Sequence, residues 1–426
     1  MNLLILGAGV DKTEGINMPL ANGLIPEIAH FVENEGKNID TKVRSFLPSL
    51  RFSFVKFIRE AIDDVIKAND AKVLNLILNL EKVKLKCEER DQKIAEILIM
   101  LLKKICTMQE DAKIDDNIYK LIEEVYGHDF VAELQDDSII EIEKVTLSDS
   151  FRGVMRQVIK DSIKNPNNIL NKELVAFFLN LEDVLIETFL GFYNKNTTDI
   201  KRYLYISWIL WAYLKYKEKI VYENNNDIPF YKNIPKNFYA ITLNYTSFIS
   251  KYLDKDKVIF FHGSLNQYIR MDLRDIIDID ESNYNGIEDF LEKEIATNIN
   301  FDQNKFVIPS IIPPLKLKPI LSNKFLKSWY RALEWIKKAD RIIIIGYSFN
   351  YADEHFNDMI RENKNKEIII IDPNAESMKN NLHSLIGYRG EDFTNTHLRS
   401  NICFQCQNIK IIKAKANEID LKSIIS

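Results

Sequence analysis

Small and polar residues recur in this chain directly after short apolar runs. Gly7-Ala8-Gly9 follows the first such run, and Asn244 and His262-Gly263-Ser264 follow two later ones. Gly346-Tyr347-Ser348 and Asp372-Pro373-Asn374 follow two more. Each residue type suits a distinct task. Glycines after a strand let the backbone approach a phosphate. Histidine exchanges a proton near neutral pH. A carboxamide is an oriented dipole with a donor side and an acceptor side. The dinucleotide pattern G-x-G-x-x-G is not met, because Lys12 stands at the third glycine position and the next glycine is Gly15. No P-loop occurs, which argues against a kinase or ATPase. His355 either caps a helix or reaches the same site. His30, His128, His383 and His397 have no supporting neighbours and read as structural or surface residues.

Those groups need elements to carry them. Apolar runs at residues 3–6, 238–243, 258–261, 306–308, 342–345, 368–371 and 409–412 read as buried strands. Helical periodicity separates the later ones, over 324–339 and 353–363. Alternating strands and helices predict an α/β fold, a doubly wound, Rossmann-like parallel sheet. Such sheets bind ligands at the carboxyl ends of their strands, where the small and polar groups fall. Between the first strand and the rest, apolar residues instead recur at three- and four-residue spacing, as in Val73, Leu76, Ile77 and Leu80. The stretch 203–216 is thick with aromatics, including Trp208 and Trp211. The expected organisation is a discontinuous sheet domain, 1–26 and 236–426, with an all-helical insertion domain over 27–235.

Composition narrows the class. The 426 residues are 46% hydrophobic and 28% charged, which is globular composition. A formal charge of -5 argues against a dedicated nucleic-acid binder. Four cysteines are too few for a disulfide scaffold and suit a reducing compartment. No apolar run approaches a membrane span, and the N-terminal residues lack the form of a signal peptide, so the expectation is a soluble, cytoplasmic protein.

Taken in order, the same segments resemble a known family. Leu6-Gly7-Ala8-Gly9, then Gly15-Ile16-Asn17-Met18-Pro19-Leu20, resembles the opening of the sirtuins. Thr242-Leu243-Asn244-Tyr245-Thr246 resembles their T-x-N-Y-D segment, and Phe261-His262-Gly263-Ser264 their H-G-S segment. Ile345-Gly346-Tyr347-Ser348, with Asp353-Glu354-His355, resembles a late segment of the bacterial sirtuin-like NADases, many of which serve in anti-phage defence. The deacylase branch carries a four-cysteine zinc module. Here Cys403-Phe404-Gln405-Cys406 is a single pair, and Cys87 and Cys106 lie far away in sequence, so no zinc is expected.

The resemblance implies an NAD glycohydrolase that releases nicotinamide and ADP-ribose, with NAD as substrate and no resident cofactor. It implies that Asn244 holds the attacking water or a ribose hydroxyl and that His262 is the general base. Gly7, Ala8 and Gly9 would line the pyrophosphate. Pro19, Thr242, Gly263, Ser264, Gly346, Ser348, Asp372 and Asn374 would complete the nucleotide site. An always-active enzyme of this kind would be lethal, so control by homo-oligomerisation or by a separate sensor protein of a defence system is expected. The family's Asp after Asn-Tyr is replaced by Thr246, and Asp11 stands where many relatives carry Ser. The alternative is a non-catalytic NAD or nucleotide sensor, with Thr246 marking lost catalysis.

Overall fold

The computed structural model describes residues 1–20, 24–67, 71–107, 114, 116–136, 146–164, 168–179, 185–186, 188–277, 279–312, 322–382, 387–398 and 401–425. His383 lies outside them. The chain divides into two compact units. One comprises Met1–Leu20, Glu35–Leu50 and Glu182–Ser426; the other comprises Ala21–Asn34 and Arg51–Leu181.

The first unit is α/β. Its strands are β1 (Asn2–Leu6), β2 (Tyr239–Thr242), β3 (Val258–Phe260), β4 (Gly263–Arg270), β5 (Asp275–Ile277), β6 (Val307–Ile311), β7 (Arg341–Ile345), β8 (Glu367–Ile371), β9 (Thr394–Leu398), β10 (Asn401–Cys406) and β11 (Ile409–Ile412). Eight of them form one sheet in the order β3-β2-β1-β7-β8-β11-β10-β9. The pairs from β3 through β11 are parallel, and β10 joins β11 and β9 antiparallel. Four consecutive isoleucines in β7 and four in β8 are all buried. A strand that is apolar at every position belongs in a sheet covered on both faces. One of those faces carries Leu3, Ile5, Ile342, Ile344, Ile368 and Ile370 in a core with Ala332, Trp335 and Ile336 of the helix Asn323–Lys338. Ser322 starts that helix, its Oγ accepting the Lys324 N–H.

The sequence reading needs correction in two places. The strand expected near 306–308 is β6, and it pairs antiparallel with β4 in a separate three-stranded sheet, β5-β4-β6. The second concerns the boundary at 235. The helix Thr197–Asn224 belongs to the unit that holds the sheets. Its two tryptophans explain why: each buried indole N–H requires an acceptor. Trp208 donates to the Val307 carbonyl at 3.1 Å and Trp211 to the Leu265 carbonyl at 2.8 Å, so the helix is fastened to β6 and β4. The sheet β4, β5 and β6 and the edge strands β9 and β10 have no counterpart in the sequence reading, apart from the β6 segment.

The second unit is helical among its described residues. Leu24–Glu33, Phe54–Lys67, Ala71–Lys84, Glu89–Thr107, Asp116–Tyr126, His128–Asp136, Leu147–Lys164 and Ile169–Phe178 are its helices. Val73, Leu76, Ile77 and Leu80 on one helix and Ile94, Ile97, Leu98, Leu101 and Leu102 on another are buried stripes of the expected spacing. Asn168 caps the last helix, its Oδ1 accepting from the Leu170 and Asn171 N–H groups. No helix among the described residues is long and apolar enough to cross a membrane.

The turns after β1 and β7 interlock. Gly7 N–H donates to the Ile345 carbonyl at 3.0 Å and Gly9 N–H to the Gly346 carbonyl at 2.8 Å. Gly346 has φ +61°, and a Cβ there would stand 2.5 Å from Val10 N and 2.7 Å from Gly9 C. A Cβ on Gly9 would meet Gly346 Cα at 2.7 Å. Gly346→Ala therefore combines overpacking against backbone with left-handed strain, and we expect it to cost about 2–4 kcal/mol. Urea titration of the variant beside wild type checks this; an unchanged midpoint would show that the turns can separate freely.

Candidate functional site

The strand order reverses between β1 and β7: β2 and β3 lie to one side and β8 and β11 to the other. In open α/β sheets the ligand crevice forms outside the carboxyl ends at such a reversal. The structure brings the residues singled out in the sequence to that edge. Asn244 follows β2, His262 lies between β3 and β4, and Gly7-Ala8-Gly9 and Gly346-Tyr347-Ser348 follow β1 and β7. Ala8, Gly9 and Ser348 are exposed there, and Pro19 is half-buried. The interlock changes what the glycines offer. The N–H groups of Gly7 and Gly9 are committed to the carbonyls of Ile345, at the end of β7, and of Gly346, in the turn after it. What remains is the exposed, side-chain-free backbone of Gly9, which a ligand can approach closely, and not a pair of free donors.

Asn244 is 7% exposed. Its backbone N–H donates to Thr242 Oγ at 3.1 Å, and its Nδ2 donates to the Gly7 carbonyl at 3.1 Å. Thr242 is thus a buried brace for the turn. The carboxamide ties the end of β2 to the β1 turn.

Beside Asn244 lies a buried acid. Asp11 accepts from the Tyr231 hydroxyl at 2.5 Å and from the Thr246 hydroxyl at 2.6 Å, and it is 4% exposed. Thr246, at the position where the resembled family has a carboxylate, is therefore hydrogen-bonded to a carboxylate that comes from after β1. Burial pushes the Asp11 carboxyl up to about 6, against the hydrogen bonds from Thr246, Tyr231 and Asn244, which favour the ion. Glu218 adds a push in the same direction as burial. Burial and the Asp11 charge hold the Tyr231 phenol well above 10, so it stays a donor. Glu218 is itself raised by burial, and it accepts from the Ser247 N–H and hydroxyl.

His262 is 6% exposed, and both its ring nitrogens face acceptors. Nδ1 is 3.2 Å from the Leu243 carbonyl, and Nε2 is 3.0 Å from Asp353 Oδ1. The Asp353 approach is too far off line for a regular hydrogen bond, so it is a contact between polar groups at close range. The carbonyl accepts only, which assigns the Nδ1 proton. Nε2 is then the atom that can exchange a proton, and it faces Asp353. A lone general base, as read from the sequence, becomes a His262–Asp353 pair. Asp353 was visible in Asp353-Glu354-His355, but nothing in the sequence assigned it to His262. His355 stacks on Phe261 at 5.5 Å between ring centroids and lies tilted against Trp329 at 4.9 Å, which gives it a packing role.

The remaining residues have local duties. Gly263 has φ +87°, and a Cβ there would stand 1.8 Å from the Ser310 carbonyl oxygen, so the start of β4 demands glycine. Ser264 Oγ accepts from the Asn266 N–H at 3.3 Å. Asp372 accepts from the Asn374 N–H at 2.7 Å, a turn after β8, and burial raises its carboxyl. Cys403 and Cys406 are reduced and buried on β10, and Cys87 and Cys106 belong to the helical unit. Among the described residues no three His, Cys, Asp or Glu side chains gather as metal ligands. Tyr231 and Glu218 carried no sequence signal, since their partners lie far away in the chain. In comparisons with known proteins, no family model matches the chain and no curated protein matches it.

Asp11 gives a pH-dependent expectation. Its carboxyl holds a proton to about pH 6 when folded, against an ordinary value of 3.8. Between these values the native state binds the extra proton, so Asp11 removes stability as pH rises through the window and removes no more above it. Asp11→Asn abolishes that trend. The stability of the variant relative to wild type should grow by an amount on the order of 2 kcal/mol from about pH 4 to about pH 7. Denaturant titrations across the range check it; a pH-independent difference would mean the acid titrates as if exposed.

Proposed function

We propose that this chain is an NAD glycohydrolase of the sirtuin-like kind. The observation that carries the reading is the gathering of the Asn244 carboxamide, the His262–Asp353 pair and the exposed Ala8–Gly9 backbone at the strand-order reversal. We read that sheet as doubly wound and Rossmann-like. NAD lies across the reversal, with its pyrophosphate over the Ala8–Gly9 turn and its adenosine toward Ser348, Asp372 and Asn374. The nicotinamide ribose sits by Asn244 and His262. The bond from C1′ to the pyridinium nitrogen breaks with its electron pair passing to nicotinamide, which leaves neutral. The transition state resembles an oxocarbenium ion, as in glycoside hydrolysis. Asn244 fixes the water whose oxygen joins C1′. The water's proton passes to His262 Nε2 once that nitrogen turns from Asp353 to the ligand, and from there to solvent.

Unchecked hydrolysis of the cytoplasmic NAD pool is toxic, so the reading includes control. The helical unit is the part of the chain without a role in the chemistry. We assign it to control, through self-association or a separate sensor protein, as in an anti-phage defence effector.

One observation favours a second reading, a nucleotide sensor without turnover: His262 Nε2, the nitrogen a base would use, faces the Asp353 carboxylate at 3.0 Å. Nicotinamide release from NAD, followed for wild type, Asn244→Ala and His262→Ala, decides between them. Loss of the base should cost about 10²- to 10⁴-fold. Loss of the carboxamide should cost at least about 10²-fold. Circular dichroism confirms folding of each variant. Binding of ADP-ribose without any nicotinamide release, in the presence of a partner protein as well as alone, would establish the sensor instead.

A further inference from the structure

The two outer edges of the eight-stranded sheet differ. At one end β3 is three residues long, and Lys255, Asp256 and Lys257 lead directly into it. Short length and charge are the usual means of keeping an edge from pairing. At the other end β9, Thr394-Asn395-Thr396-His397-Leu398, is five residues long and contains no Asp, Glu, Lys, Arg or Pro. Every residue of it before Leu398 is exposed.

The ladder decides which backbone groups of β9 are spent. Lys413 N–H donates to the Ile402 carbonyl at 2.9 Å, so Ile402 turns its backbone toward the β11 side. Backbone groups alternate in direction along a strand. Ile402 and Phe404 therefore face β11, and Asn401, Cys403 and Gln405 face β9. The β9 partners of those three are Leu398, Thr396 and Thr394. The Thr394 and Thr396 hydroxyls also donate to the Gln405 and Cys403 carbonyls, each at 3.1 Å, and fasten β9 to β10. Asn395 and His397 lie between these positions, so their N–H and C=O groups point to the open side. Among the described residues no backbone group from outside the ladder meets them.

We propose that this edge pairs with β9 of a second copy of the chain, antiparallel and centred on Thr396. Complementarity selects that occupant. About a two-fold axis at Thr396, Asn395 lies opposite His397 of the second copy, and each outward N–H of one strand meets an outward C=O of the other. Thr396 faces itself, a favourable cross-strand pair, and the Asn395 carboxamide faces an imidazole with which it can share a hydrogen bond. A strand bearing a fixed charge at its centre would meet that charge again across the axis, and β9 bears none. Pairing like with like also closes the assembly, because both edges of the joined sheet are then the blunted β3. One strand pair buries less than the roughly 1,200 Å² of a standard interface, so association depends on concentration. The inference makes no use of the glycohydrolase reading.

Sedimentation velocity of the full chain from roughly 1 to 200 µM should show the mass rise from one chain to two. Over the same range, exchange of the Asn395 and His397 amide hydrogens should slow by about 10-fold or more. His397→Pro removes an outward N–H and leaves the bonds to β10 in place, so it should hold the chain single. Thr396→Lys and Thr396→Glu each set like charges face to face and should do the same. Mixed in equal amounts, those two variants should associate, since the register about Thr396 brings their opposite charges together. Circular dichroism confirms that each variant is folded. Wild type that stays single throughout overturns the proposal, whether or not an extended segment of a different protein fills the edge. Association that survives His397→Pro, or that leaves the two amides exchanging freely, belongs to another surface and also overturns it. A mixture of the charged variants that stays single overturns the register.

Discussion

The contact on which the candidate site depends involves no side chain. Two turns, after β1 and after β7, approach until the backbone of Gly7 and Gly9 touches that of Gly346. Hydrogen bonds from Gly7 and Gly9 to the end of β7 and the turn after it close the seam. Interiors pack too densely to absorb a methyl group at such a contact without shifting backbone. The seam sets the separation of the strand ends on both sides, and so the placement of Asn244 beside β1 and of the Gly346-Tyr347-Ser348 segment opposite. Glycines that resemble a phosphate loop are thus required first by packing.

Around that seam, polar groups are held by partners from distant parts of the chain. Asp11 is gripped from Tyr231 and Thr246, His262 sits between the Leu243 carbonyl and Asp353, and Ser247 is tied to Glu218. Buried polar groups are stabilised by pairing; Asp11 and Glu218 are paired in this way, while His262 Nε2 and Asp353 meet without a regular hydrogen bond. Two of these groups are acids whose burial keeps them closer to neutrality than surface carboxylates. The edge of the sheet is therefore rigid in geometry and responsive in charge.

The sheet was legible where composition alone decides burial. The Leu and Ile runs of β1, β7 and β8 admit no exposed face, and each ends at a residue that breaks a strand. The helix Thr197–Asn224 was legible as a helix but not in its allegiance, because periodicity reports that a face is buried and not what covers it. The carbonyls that take up Trp208 and Trp211 lie in β6 and β4, and no local signal links them. Strand β9, with four of its five residues exposed, has no apolar pattern to find. Within the site, Asn244 and His262 stood out by type and position. Asp353, which faces His262, and Asp11, gripped by Tyr231 and Thr246, could be seen only as acids near a histidine and glycines, since those contacts are made by the fold.

The place of β1 within the sheet bears on how the chain reaches this state. Leu4 lies between Ala240 and Ile343, so the earliest strand of the sheet has both neighbours in the second half of the chain. Contacts so distant in sequence form slowly, because a long loop must close before they contribute. During synthesis the apolar β1 segment must wait, unpaired, until the strands on either side exist. The helical unit is completed in that interval and can fold on local contacts. A bare apolar strand is prone to pair with the wrong partner. Assembly of the sheet is thus the step at which this protein is most exposed to misfolding, and the crevice edge can exist only once that step is complete.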